Sequence, residues 1–274
     1  SFLIKLLYIF LGVATCVLVW GLVHYFTPGL ATFKVRASFG NRNILGGFLS
    51  LVLPLVYGLL LWERRRALQV WLGVVLLAGL MLVLSGGTWL ALLLALAMIS
   101  AWRSQRALIL FLAVFIIGTA GLLPRLPRNN LETIQTSLNI FDDTGVMQPR
   151  YTEWQAAWNM WREQPLLGVG VGNYQLNIGR YYGYIPRDNK NVTEPDSFNL
   201  YLVLLSSTGL CGLAAFAGLL IYFQRQAAIS HFACADSFDQ GLAAGLAGSL
   251  AAFAINSVWA GLLVRGLGVP LVFL

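Results

Sequence analysis

The chain has 274 residues, 58% of them hydrophobic and only 11% charged, with 18 Lys+Arg against 11 Asp+Glu for a formal net charge of +7. A mean hydropathy of +0.73 excludes an ordinary soluble domain, and with it disorder, coiled coil and collagen, because runs such as LGVVLLAGLMLVLS have no polar face for water. A pI near 9.6 would suit a nucleic-acid binder, but the basic residues fall between apolar runs and form no stripe with aromatic neighbours. The charge therefore reads as membrane topology, and no nucleic-acid partner is expected.

The expected fold is all-α, a polytopic transmembrane bundle forming a single membrane domain over 1–274 with one long loop. A bilayer core about 30 Å thick takes roughly 20 apolar residues per helix. Runs at 2–26, 44–62, 67–84, 88–102, 107–123, 198–223, 239–257 and a shorter one at 261–274 supply about eight spans. The first is too long for a signal-peptide core and lacks a small-residue cleavage site, so it counts as a span. The chain opens on Ser1 without an initiator Met and stops abruptly at Leu274, so it reads as a piece of a longer protein. Cys16, Cys211 and Cys234 have no metal-ligand spacing, and no disulfide framework follows from them.

Lys5, the ERRR run at 63–66, Arg103, Arg106 and Arg225 lie on one side of this bundle, which the positive-inside rule assigns to the cytoplasm. The opposite side then carries the 27–43 loop, the SGGT turn at 85–88 and a long loop at 124–197, where the chemistry is expected. That loop is nearly neutral, so individual residues must carry its function. Within it, Tyr151, Trp154, Trp158 and Trp161 recur at offsets of three, four and three, one aromatic stripe on a helix that Pro165 closes. The stripe lies either at headgroup depth or against the transmembrane bundle.

Arg150 opens this helix, and Arg36 and Arg42 sit in KVRASFGNRN on the same side, three guanidinium groups able to converge on a pyrophosphate. Arginine suits that task because its rigid fork pairs bidentately with phosphate oxygens at any cellular pH; ordinary snorkelling to headgroups is the plainer alternative. The glycine run GVGVGNY at 168–174 follows a helix instead of a strand, so it is no dinucleotide fingerprint but a turn letting backbone approach a ligand or the next segment. Asp196, just before the sixth span, is a general-base candidate if partial burial raises its pKa. His24 and His231 receive no role.

Three stretches, RASFGNRNILGGFLSLVLPL, SGGTWLALLLAL and RYTEWQAAWNMWREQPLLGVGVGNY with FNLYLVLLSSTGLCG, resemble the O-antigen ligase and O-antigen polymerase superfamily of bacterial membrane proteins. Asn199, nine further residues, then Gly209 and Gly212 match that family's Asn-to-Gly-x-x-Gly spacing. The resemblance implies a helical, metal-independent glycosyltransferase without cofactor, acting on the periplasmic face of the inner membrane. Its partners would be an undecaprenyl-pyrophosphate-linked glycan and a lipid or polysaccharide acceptor. It implies that Arg150 and one of Arg36 or Arg42 hold the pyrophosphate; the expected site takes Arg150, Arg36 and, in place of the family's histidine, Asp196 as catalytic residues, with substrate contacts at Arg42, Asn199, Trp154, Trp158 and Tyr174. The sequence departs from the family at three points: Phe198 stands at its histidine, Ser207 at its glutamate and Gly86 at the arginine of its turn. Relatives similar in the EPD…N segment are labelled inorganic-carbon transporters, so a small-anion transporter, or a noncatalytic member, is the alternative.

Overall fold

The computed structural model describes residues 2–26, 42–83, 85–122, 148–182 and 198–260. They form α1 (Phe2–Phe26), α2 (Arg42–Trp62), α3 (Arg66–Met81), α4 (Gly86–Arg103), α5 (Gln105–Leu122), α6 (Gln148–Glu163), the short α7 (Tyr174–Asn177) running into a 3-10 turn at Ile178–Tyr181, α8 (Leu200–Ala233) and α9 (Ser237–Asn256). No strand occurs among the described residues, and five helices are long and apolar enough to cross a membrane: Ile4–His24, Ile44–Trp62, Gly86–Arg103, Leu200–Ala233 and Ser237–Asn256. The protein is an all-α, multi-pass membrane protein.

The boundaries refine the sequence reading. Helix α3 has 16 residues and at 1.5 Å per residue rises about 24 Å, short of a full hydrocarbon core. Helix α5 likewise counts among the shorter apolar helices, and the run at 261–274 lies outside the described residues. Helix α8 continues ten residues beyond the expected 223 to Ala233, because Gln224–Ser230 holds good helix formers with no breaker.

The chain divides into two compact units, Ser1–Leu108 with Leu219–Leu274, and Ile109–Gly218. In the first, α2 is central and packs against α3, α4 and α9, while α1 packs on α3. Helix α1 turns Leu11, Ala14 and Leu18 inward and leaves Ile9, Val13, Trp20 and Val23 more than half exposed. That is the pattern of a helix whose outer face meets lipid instead of water.

The α2–α9 seam is built from small residues. A Cβ added at Gly58 would lie 2.5 Å from the Gly245 nitrogen and 2.6 Å from the Gly241 oxygen; at Gly248 it would meet Pro54 of α2 at 3.0 Å and Ile99 of α4 at 2.4 Å. Close backbone approach gives dispersion contact where the bilayer supplies no hydrophobic drive. Ser249 Oγ donates to the Leu51 carbonyl across the same seam. Tyr57 Oη and Ser100 Oγ share a 2.7 Å hydrogen bond linking α2 to α4.

Short polar turns close the ends. The Glu63 carboxylate accepts from the Arg64 and Arg65 amides at 2.8 Å each, Ser104 Oγ accepts from the Ala107 amide at 3.1 Å, and Asp236 caps α9 by accepting from the Phe238 amide. His231, which had no partner in the sequence, is buried, stacked on Trp102 with Trp62 edge-on, and its Nδ1 lies 2.9 Å from the Gln240 carbonyl.

Gly58→Ala forces the α2 and α9 backbones apart. Overpacking of this kind costs about 1–3 kcal/mol, and thermal unfolding in detergent is expected to fall accordingly. Ser249→Ala removes one interhelical hydrogen bond, worth on average about 0.6 kcal/mol in a membrane, and is expected to shift the same transition far less.

Candidate functional site

In the second unit, α6 turns Ala156, Ala157 and Met160 toward Tyr174, Ile178, Tyr182 and Val203, with Val169, Tyr181 and Leu202 packed around them. Small residues at 156 and 157 let α6 lie close to the 174–182 turn. Two tyrosine–glutamate pairs fasten the same contact: Tyr182 Oη donates to Glu153 and Tyr181 Oη to Glu163 at 2.5 Å. The Glu163 bond, reinforced by desolvation and the carboxylate charge, pushes the Tyr181 phenol above its ordinary value of 10.0.

The aromatic stripe lies on the other side of α6. Tyr151 is 66% and Trp158 46% exposed, Trp154 and Trp161 are half-buried, and the Trp158 and Trp161 rings sit 4.5 Å apart. The helix stops at Glu163 because Pro165 cannot continue it and restricts Gln164; Trp161 Nε1 donates to the Pro165 carbonyl at 3.1 Å.

Beyond Pro165 the chain docks on a break inside α8. Gly209 has φ 66 and ψ −166, a conformation essentially reserved for glycine, and it strands helical donors and acceptors on either side. The segment from Pro165 to Gly170 takes up four of them. Val169 N donates to the Ser206 carbonyl (3.0 Å) and Gly170 N to the Ser207 carbonyl (2.8 Å), while Leu210 N donates to the Pro165 carbonyl (2.9 Å) and Cys211 N to the Leu166 carbonyl (3.3 Å). Glycine is required on both sides of the exchange. A Cβ at Gly209 would lie 2.1 Å from the Leu166 oxygen, and one at Gly168, with φ +64, 2.5 Å from the Ser206 oxygen. The turn therefore approaches the next segment of chain, one of the two uses the glycine run suggested. Its Asn173 closes the turn, donating from Nδ2 to the Val169 carbonyl at 3.0 Å.

Helix α8 begins beside another residue with positive φ. Phe198 has φ 52, and buried Asn199 accepts at Oδ1 from the Leu202 amide at 3.1 Å, the bond of a helix N-cap.

Of the residues singled out in the sequence, the structure gathers Trp154, Trp158, Tyr174 and Asn199 in this one unit. Tyr174, 5% exposed, is part of its core. Arg150 and Arg42 stand in the first turns of α6 and α2. Arg36 and Asp196 lie outside the described residues. The sequence reading missed the Glu153 and Glu163 clamps, whose partners are 29 and 18 residues away, and the break at Gly209, although the Gly209–Gly212 spacing marked its position.

The family described as O-antigen ligase matches residues 71–217. That stretch runs from α3 through the aromatic helix, the glycine turn and the broken part of α8, and it is more than half of the chain. The protein belongs to the O-antigen ligase family. A comparison with curated proteins finds no match.

Gly209→Ala and Gly168→Ala are both expected to lower the unfolding temperature sharply, since backbone strain alone costs about 1–3 kcal/mol and a clash adds to it. Gly172, with φ +82 and no atom near its would-be Cβ, supplies the control: Gly172→Ala should cost only the conformational part, about 1–2 kcal/mol. The Tyr181 phenol carries a sign that can be worked out. Its folded pKa is raised, so the contribution of the Tyr181–Glu163 pair is complete below pH 10.0 and disappears as pH rises through the folded value. Absorbance titration is expected to show a late-ionising phenol that Tyr181→Phe removes.

Proposed function

We propose that the protein transfers a glycan from an undecaprenyl-pyrophosphate carrier to a lipid or polysaccharide acceptor, at the periplasmic face of the bacterial inner membrane. Membership of the O-antigen ligase family supports glycosyl transfer in surface polysaccharide assembly. The observation that carries the reading is the placement of Arg150 in the first turn of a helix whose uncovered side bears Tyr151 and Trp158. An arginine next in sequence to exposed aromatics is the combination that a phosphate head on an isoprenoid lipid requires.

In this reading Arg150, Arg36 and Arg42 hold the pyrophosphate. Asp196 takes the proton from the acceptor hydroxyl, whose oxygen attacks the anomeric carbon as the sugar–phosphate C–O bond breaks. The bond's electron pair leaves with the pyrophosphate, and the guanidinium groups stabilise the charge that develops on it. Phe198 carries no proton, so the task of the family's histidine passes to Asp196, two residues earlier. Trp154 and Trp158 hold the carrier at the interface. Asn199 acts by fixing the start of α8, and Tyr174 by supporting α6 from within the unit.

Arg150→Ala is expected to leave the protein folded while lipid-linked oligosaccharide accumulates and surface glycan falls at least about tenfold, the loss of one charge-assisted phosphate contact. Extraction of lipid-linked glycans from cells carrying the variant measures it. Unchanged glycan output in those cells overturns the enzymatic reading, and unchanged glycan with impaired inorganic-carbon uptake replaces it by anion transport.

A further inference from the structure

The second unit exposes a set of large apolar side chains that a loop in water would have no reason to carry. Leu166 is 64%, Leu167 74%, Val171 84% and Leu176 78% exposed. They lie on and beside the turn that exchanges backbone hydrogen bonds with Ser206, Ser207, Leu210 and Cys211 of α8. Those four residues stand inside an uncharged stretch from Leu200 to Gln224, part of a helix long and apolar enough to cross a membrane. Apolar sequence continues on both sides of the break, through Leu200–Leu205 and Leu210–Tyr222.

The geometry points to a re-entrant tip: Leu166 and Leu167, carried against the break at Gly209, insert among the acyl chains of the bilayer leaflet on the side where α8 begins. Irregular backbone survives at such depth only when its polar groups are satisfied by protein. Here Val169 and Gly170 donate inward and Pro165 and Leu166 accept, so the tip presents leucine side chains to its surroundings. Its occupant is bilayer lipid, because the apolar surface continues that of a spanning helix. Neighbouring Trp158 suits the headgroup boundary above it.

The test uses single cysteines, Leu166→Cys and Leu167→Cys, with Asn159→Cys on the exposed polar side of α6 as reference. The background has Cys16, Cys211 and Cys234 replaced by alanine. Full-length protein is placed in vesicles of phosphatidylethanolamine and phosphatidylglycerol and treated with a membrane-impermeant maleimide. Both leucine positions are expected to label about tenfold more slowly than position 159, the factor that burying a leucine-sized group in lipid provides. An NBD label placed there before reconstitution is expected to be quenched by nitroxide-bearing lipids and not by aqueous cobalt. Labelling at all three positions with equal rates, and quenching by cobalt, overturns the proposal. Protection that arises only after adding a polyprenyl pyrophosphate also overturns it, assigning the surface to the carrier's tail. Neither measurement reads enzyme activity, so the result stands apart from the fate of the glycosyl-transfer reading.

Discussion

The second unit depends on one exchange of backbone hydrogen bonds. A helix that breaks within an apolar stretch leaves amides and carbonyls that lipid cannot satisfy, each at a cost of several kcal/mol. In this protein the break at Gly209 is repaired by a distant segment, Pro165–Gly170, which has stranded groups of its own because Pro165 ended α6. Each defect supplies what the other lacks. The two glycines at the crossing permit the approach, since a methyl group at either would overlap a carbonyl oxygen.

The exchange also fixes where the aromatic helix lies. Helix α6 is held at its C-terminal end by the docked turn and along its length by Ala156, Ala157 and Met160 against Tyr174 and Ile178. Glu153 and Glu163, two helical positions on that side, receive tyrosine hydroxyls from the 174–182 turn. With its small face committed, the helix leaves its aromatic face and a polar face uncovered. The first unit is held differently, through glycines that let α2 and α9 nearly touch. Both units add close backbone approach at glycine to the packing of larger apolar side chains, a solution that works where lipid already solvates apolar side chains.

Much of this was legible in the sequence. Spans are set by apolar length, so α1, α2, α4 and α9 fall close to where hydropathy puts them, and the three–four–three aromatic spacing gives α6 directly. The break at Gly209 was not legible as a break, because the apolar pattern runs through it and a single glycine in a membrane helix is ordinary. Only the partner segment explains it, and that partner lies some forty residues upstream. The tyrosine–glutamate clamps were hidden for the same reason, and the Gly241, Gly245 and Gly248 seam read only as apolar sequence. For the site, the candidate residues came from residue type and from the family resemblance, and two of them, Arg36 and Asp196, lie outside the described residues.

The cap on α8 bounds the reach of the residue expected to act as base. Asn199 is pinned by its hydrogen bond to the Leu202 amide, and Asp196 stands three residues before it in the sequence. At about 3.6 Å per extended residue the tether is at most about 11 Å long, whatever path the intervening chain takes. On the proposed reading, an acceptor hydroxyl deprotonated by Asp196 has to be brought within about that length of the start of a spanning helix, so the acceptor's reactive end travels to the base.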